Sequence, residues 1–263
     1  MKAMELSQIE YSTSGQIAHV TLNNPARLNA IGPQMAAELV SALQAASADD
    51  DVRVVLLSGA GKAFCAGGDI DAFQEGLVSG NLDMAGLVAD LGAAAVLIRR
   101  MPKPVIASVH RAAAGAGMGL ALLADFCLAG DDAIFTTAFV TVGLVPDTGV
   151  GYVLTRTLGH LRAVDVLMSG RSLTALDAQR LGLITDVVAP ERLSQATVDL
   201  IGGLLTGPRG AFAGIKQQVW AAQFNDFEEY LAMEARLQSQ CSALPDFAEG
   251  VAAFSQRRPA RFS

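Results

Sequence analysis

Residues 105–129 read VIASVHRAAAGAGMGLALLADFCLA. Val105 to Val109 is a short aliphatic run, closed off on its N-terminal side by Pro102 and Pro104, which no helix interior tolerates. Ala112 to Ala124 is the most apolar stretch of the chain and stops at Asp125. It is too short to span a bilayer, so the whole stretch reads as a buried helix, with Gly115–Ala124 as its regular part. Phe126 to Ala129 is a second strand, and Ile134 and Phe135 begin a third. Strand, helix and strand in so few residues point to a mainly parallel α/β core.

The same pattern runs outward in both directions. Leu6–Tyr11 and Ile17–Leu22 alternate about Ser14-Gly15 and predict a hairpin. Pro33–Ala46 has helical spacing with proline in its first turn. Val52–Leu57 suits a strand buried on both faces and leads into the turn Ser58-Gly59-Ala60-Gly61. Leu87–Arg100 is expected to be helical. From Glu191 onward the period is helical throughout, over Leu193–Leu205, Ala211–Ala222, Phe227–Ser239 and Phe247–Arg257, with Pro208 and Pro245 as breaks. The organisation expected is an α/β core over residues 1–190 and a helical region over 191–263.

Composition narrows the function. The chain has 263 residues, 51% of them hydrophobic, enough for one large domain with a substantial core. The net charge is −7 with no basic block, which argues against nucleic acid as a partner. Met1-Lys2-Ala3-Met4-Glu5, with Glu5 and Glu10 interrupting any apolar run, does not resemble a signal peptide. Cys65, Cys127 and Cys241 are far apart and read as core or wall residues; with the dispersed His19, His110 and His160 they offer no metal spacing. A cytoplasmic protein with no membrane partner is expected.

Two glycine-rich turns follow two buried strands. Gly59-Ala60-Gly61-Lys62-Ala63 departs from a P-loop, because Ala63 stands where a magnesium-binding hydroxyl belongs and Leu56 where a glycine does. Gly115-Ala116-Gly117-Met118-Gly119-Leu120 departs from a dinucleotide fingerprint, its third glycine falling one residue early. No G-x-S-x-G nucleophile elbow is present. Taken together, the two turns could each aim one backbone N–H at a single point and so form an oxyanion hole. Ordinary turns with tight helix–strand packing are the equal alternative.

These segments, in this order, resemble the crotonase superfamily, the enoyl-CoA hydratase/isomerase family. The likeness is carried by Asn24–Ala30, Lys62–Ile70, Pro102–Ala107 with Ala113–Gly117, Gly143–Asp147, and Glu249–Phe254 with Arg257-Arg258-Pro259. It implies a spiral of ββα units with a helical C-terminal region used for trimerisation, as a homotrimer or a dimer of trimers. It implies an acyl-CoA thioester as substrate, with coenzyme A part of that substrate and no separate cofactor. By motif, Gly68 and Ala116 would supply the oxyanion-hole N–H groups. Arg27, Leu28, Ala30, Ala66, Asp69 and Ile70 would line the coenzyme, and Lys216 would reach its phosphates from a late helix.

The two glutamates that hydration needs in this family fall here on Gly119 and Phe139, neither of which moves a proton. Phe135–Phe139 and Pro146-Asp147-Thr148-Gly149 instead resemble the branch that rearranges the ring epoxide of phenylacetyl-CoA and shifts enoyl-CoA double bonds. In that branch the aspartate of the Pro-Asp step, here Asp147, is the acid/base. The alternative reading of Asp147 is the cap of a following helix. The expected activity is an acyl-CoA isomerase of fatty-acid or phenylacetate metabolism. The alternatives are a hydratase or thioester hydrolase with another acid, and a non-catalytic acyl-CoA binder. His110-Arg111 and Val150 depart from the family's usual residues.

Overall fold

The structure, a computed structural model, describes residues 6–263. Met1–Glu5, on which the leader expectation rests in part, lie outside the described residues. The chain opens with the hairpin β1 (Ile9–Ser14) and β2 (Ile17–Leu22). Helix α1 (Pro33–Ala48) follows, burying Met35, Ala36, Leu39, Ala42, Leu43 and Ala46 along one stripe. The next strand, β3 (Val54–Gly59), lies parallel to β2. Two helices come next, α2 (Ile70–Ser79) and α3 (Met84–Arg100), capped by the carboxylates of Asp69 and Asp83.

The stretch 105–129 forms β4 (Val105–Val109), β5 (Ala112–Ala114), α4 (Ala116–Leu123) and β6 (Phe126–Gly130). Every residue of α4 is buried. After β7 (Ile134–Thr136) come α5 (Val150–Leu158), α6 (His160–Ser169), β8 (Ser172–Thr174), α7 (Ala175–Arg180) and β9 (Asp186–Val188). The chain ends in α8 (Leu193–Thr206), α9 (Arg209–Gln223), α10 (Phe227–Ser242) and α11 (Pro245–Ser255).

The main sheet has the order β1-β2-β3-β4-β6-β9, parallel except for the opening hairpin. A small sheet, β5-β7-β8, stands beside it. The expected α/β core is thus present. Two readings need correction. Ala112–Ala114 is a strand, not the start of a helix, because it pairs with Ile134–Thr136. Helix α2, between the first glycine-rich turn and Leu87, was not foreseen.

The late helices pack back onto the core. Ile201 and Leu204 of α8 cover Val54 and Ile106 on one face of the sheet. Helix α10 lies along α3, and α11 along α2. No helix among the described residues is long and apolar enough to cross a membrane.

Candidate active site

Segment 64–69 is stitched on both sides. On one side Phe64 N donates to His110 O, Cys65 N to Ala112 O, and Ala114 N returns a bond to Cys65 O. On the other, Ala66 N donates to Leu28 O, Ile31 N to Gly67 O, and Asp69 N to Ile31 O. Buried Asn29 locks the assembly. Its Nδ2 lies 2.8 Å from Ala60 O, 2.8 Å from Ala63 O and 3.2 Å from Phe64 O, while its Oδ1 accepts from Asn24 N at 2.9 Å. Leu28 and Asn29 adopt left-handed backbone, which turns the loop tightly enough to do this.

The two glycine-rich turns touch. A Cβ on Gly67, whose φ is +94°, would sit 3.0 Å from Ala114 O, and one on Gly115 (φ +50°) would sit 3.5 Å from Gly67 Cα. Only residues without a side chain permit that approach. Within these turns the N–H groups of Ala66, Asp69, Ala114 and Gly115 all have acceptors. Those of Gly68 and Ala116 have none among the described residues. Both residues line the same cavity, and Ala116 opens α4, where the helix dipole is positive.

The cavity is about 350 Å³ in volume. Its inner wall is apolar, formed by Phe73, Met84, Leu87, Phe139, Val142 and Leu144. Arg27 and Leu28 stand at its exposed rim, and Ala30, Ala66, Asp69 and Ile70 line it with them. Asp69 also caps α2 through Ala72 N and bonds Arg27 Nη1 at 2.7 Å. Arg27 holds Asp71 as well, at 3.2 Å.

Asp147 lines this cavity and is 6% exposed. Its Oδ1 accepts from Thr148 Oγ1 and its Oδ2 from Gln238 Nε2, each at 2.8 Å. Thr148 holds its hydroxyl there from a left-handed backbone (φ 53°), unfavourable for a β-branched residue. Burial raises the Asp147 pKa to about 6, against the lowering pull of the two hydrogen bonds. The side chain makes no helix cap; the N-cap of α5 is Gly149.

Gly119 faces Asp147's neighbour. A Cβ there would come within 2.7 Å of Thr148 O and 2.9 Å of Thr148 Cβ, so the space is filled as well as the residue changed. Phe139 forms part of the apolar wall. Cys65, buried and donating to Asn29 O, has its thiol pushed up to about 12 by desolvation, which makes it inert wall.

The expectation for Lys216 is corrected. Its ammonium is buried and its three donors go to Ile98 O, Lys103 O and Asp125 Oδ2, at 2.8, 3.0 and 2.6 Å. It ties α9 to α3 and the start of β4 and does not line the cavity.

Two residues of α10 were missed. Gln238 reaches Asp147, and Glu234, one turn earlier, accepts from Gly149 N at 3.0 Å. On a helix read from sequence alone, both resemble solvated polar positions; the one available signal was their spacing of four.

Fold and cavity define an α/β protein with two unpaired amides and one buried carboxyl around an apolar chamber. A profile of the family described as Enoyl-CoA hydratase/isomerase matches residues 12–263. The chain is 34% identical over 261 residues to the trans-2-decenoyl-[acyl-carrier-protein] isomerase of Streptococcus mutans, covering 99% of each. It is 37% identical over 252 residues to the 1,2-epoxyphenylacetyl-CoA isomerase of Escherichia coli, covering 93% of this chain and 94% of that one. A crystal structure of an enoyl-CoA hydratase from Mycobacterium avium subsp. paratuberculosis superposes with a TM-score of 0.90 at 31% identity, covering 98% of this chain and 99% of the other. The chain belongs to the enoyl-CoA hydratase/isomerase family and has its crotonase-type fold.

Proposed function

We propose that this chain is an acyl-CoA isomerase that shifts a double bond, or opens and rearranges a ring epoxide, through a thioester enolate. The observation that carries this is Asp147: among the described residues it is the one buried carboxyl lining the cavity. At Gly119, one of the two positions that the resemblance gives to a hydratase glutamate, an added Cβ would meet Thr148 O at 2.7 Å. Two relatives whose names state an isomerase activity support the same reading.

In a double-bond shift, Asp147 as carboxylate takes a proton from the carbon next to the thioester. The electron pair moves onto the thioester oxygen, which accepts from Gly68 N–H and Ala116 N–H. Each such donor contributes about 2.7–4 kcal/mol to the transition state. As the enolate collapses, protonated Asp147 delivers its proton two carbons further along, so a single group serves as base and then acid. A pKa of about 6 suits both roles near neutral pH. Arg27, Leu28, Ala30, Ala66, Asp69 and Ile70 hold the coenzyme part at the rim, with the apolar wall taking a hydrocarbon or aryl acyl group.

Hydration needs a second acid beside the substrate, and Glu234 does not line the cavity. Asp147→Asn should abolish isomerisation of 3-enoyl and ring-type thioesters while coenzyme A binding persists. Incorporation of labelled solvent oxygen by the wild-type protein would mark a hydratase instead. Turnover would separate the enzyme from an idle binder.

We further propose assembly in the cytoplasm as a homotrimer or dimer of trimers. The exposed apolar Ile215, Val219, Leu237 and Phe254 of the last three helices, with Leu244 between α10 and α11, support it. A monomer in sedimentation equilibrium would rule this out.

A further inference from the structure

Glu234 has no part in the steps above, yet its surroundings are built. It is 3% exposed on α10, and Oε2 is taken by Gly149 N–H, two residues beyond Asp147. Oε1 has no partner among the described residues, and neither has Oε1 of Gln238. Bare buried acceptors are costly. The two residues are four apart on one helix, where side chains are neighbours. One proton placed on Glu234 Oε1 would satisfy both atoms, with Glu234 donating to Gln238 Oε1. With its oxygen so engaged, Gln238 can only turn its Nε2 donor toward Asp147.

We infer that Glu234 is carried as the neutral acid and is a positioning residue for Asp147. It fixes Gln238 in the amide orientation that donates to the aspartate, and it anchors the aspartate's loop at Gly149. The proton stays on Glu234 throughout; nothing is transferred. Ionised Glu234 has no proton for Gln238 Oε1, frees the amide to turn over, and sets a second negative charge beside Asp147.

The surrounding charges agree. Desolvation raises the Glu234 pKa to about 8 against the Gly149 hydrogen bond, with the Asp147 charge a smaller push in the same upward direction. Tyr230, one turn earlier on α10, is pushed up to about 12 and stays neutral. Helix α3, packed on α10, brings Asp90, Arg99 and Arg100, the arginines being paired with Asp125 and Glu228. Helix α11 brings Asp246 and Glu249, the latter paired with Arg258. Of all these, Asp147 is the charge that bears on Glu234.

This inference rests on Asp147 being the proton carrier, so the experiment separates the two. The full chain and its E234L, E234Q and D147N variants are assayed on one turned-over acyl-CoA thioester from mildly acidic to alkaline pH. Wild-type kcat should fall as Glu234 ionises, at about pH 8. E234L should lose about 10²-fold in kcat with KM little changed, from misplacement of Asp147. E234Q keeps an acceptor for Gly149 and a donor for Gln238, so it should restore kcat and abolish the alkaline fall. An E234Q variant that retains the fall, or is as slow as E234L, overturns the inference. Should E234L fail to fold, infrared difference spectra between neutral and alkaline pH decide on their own. A protonated carboxyl signal lost at alkaline pH in wild type but absent from E234Q supports the inference, and no such signal in wild type overturns it. An active D147N would overturn the proton-carrier reading instead.

Discussion

Gln238 Nε2 donates to Asp147 Oδ2 at 2.8 Å across 91 residues of chain. The buried carboxyl of one loop is therefore governed by a helix formed near the other end of the molecule.

That bond favours the charged carboxylate and holds its pKa down against burial. Gln238→Leu should move the acidic limb of the kcat/KM profile upward from about pH 6. A limb that stays in place would mean Asp147 does not set it.

Stability should fall with rising pH. Asp147 and Glu234 are both raised, from 3.8 to about 6 and from 4.5 to about 8. Across those windows the folded chain keeps protons that the unfolded chain has released. The stabilisation is full below the ordinary values and is gone once pH has passed about 8. Between about pH 6 and 8 Glu234 alone contributes the slope, about 1.4 kcal/mol per pH unit for one proton. Thermal melts should show Tm falling over that range in wild type and flattening in E234Q.

Gly119→Ala puts a methyl 2.7 Å from a backbone oxygen that cannot rotate away. It should destabilise the chain by about 1–3 kcal/mol in urea. Gly119→Glu should cost more and should not create hydration activity, read by labelled solvent oxygen.

Asn29→Ala removes the donor shared by Ala60, Ala63 and Phe64 carbonyls and the acceptor of Asn24 N. Each buried group left bare costs about 1–3 kcal/mol. A clear drop in denaturation midpoint is expected, with a fall in kcat because the Gly68 turn loses its anchor.

Local chemistry was readable in the sequence wherever the chain supplies it. Val105–Val109 and Ile17–Leu22 form as strands at the expected bounds, since prolines and glycines punctuate them. Gly68, Ala116 and Asp147 come to one cavity because contiguous turns carry them there. Ala112–Ala114 was misread because alanine favours helix, and only pairing with Ile134–Thr136 makes it a strand. Lys216 was misread because a lone lysine on a helix gives no hint of three internal acceptors. Glu234 and Gln238 were invisible because their partners are far off in the chain, and burial alone separates them from surface residues.

The closure of Asp147 by α10 also bears on synthesis. A ribosome makes the aspartate long before the glutamine that meets it. Until that last stretch has emerged and docked, the loop stands in water, and its carboxyl is an ordinary acid. Competence for proton transfer would then arrive abruptly, once α10 has emerged and docked, leaving shorter nascent chains without it.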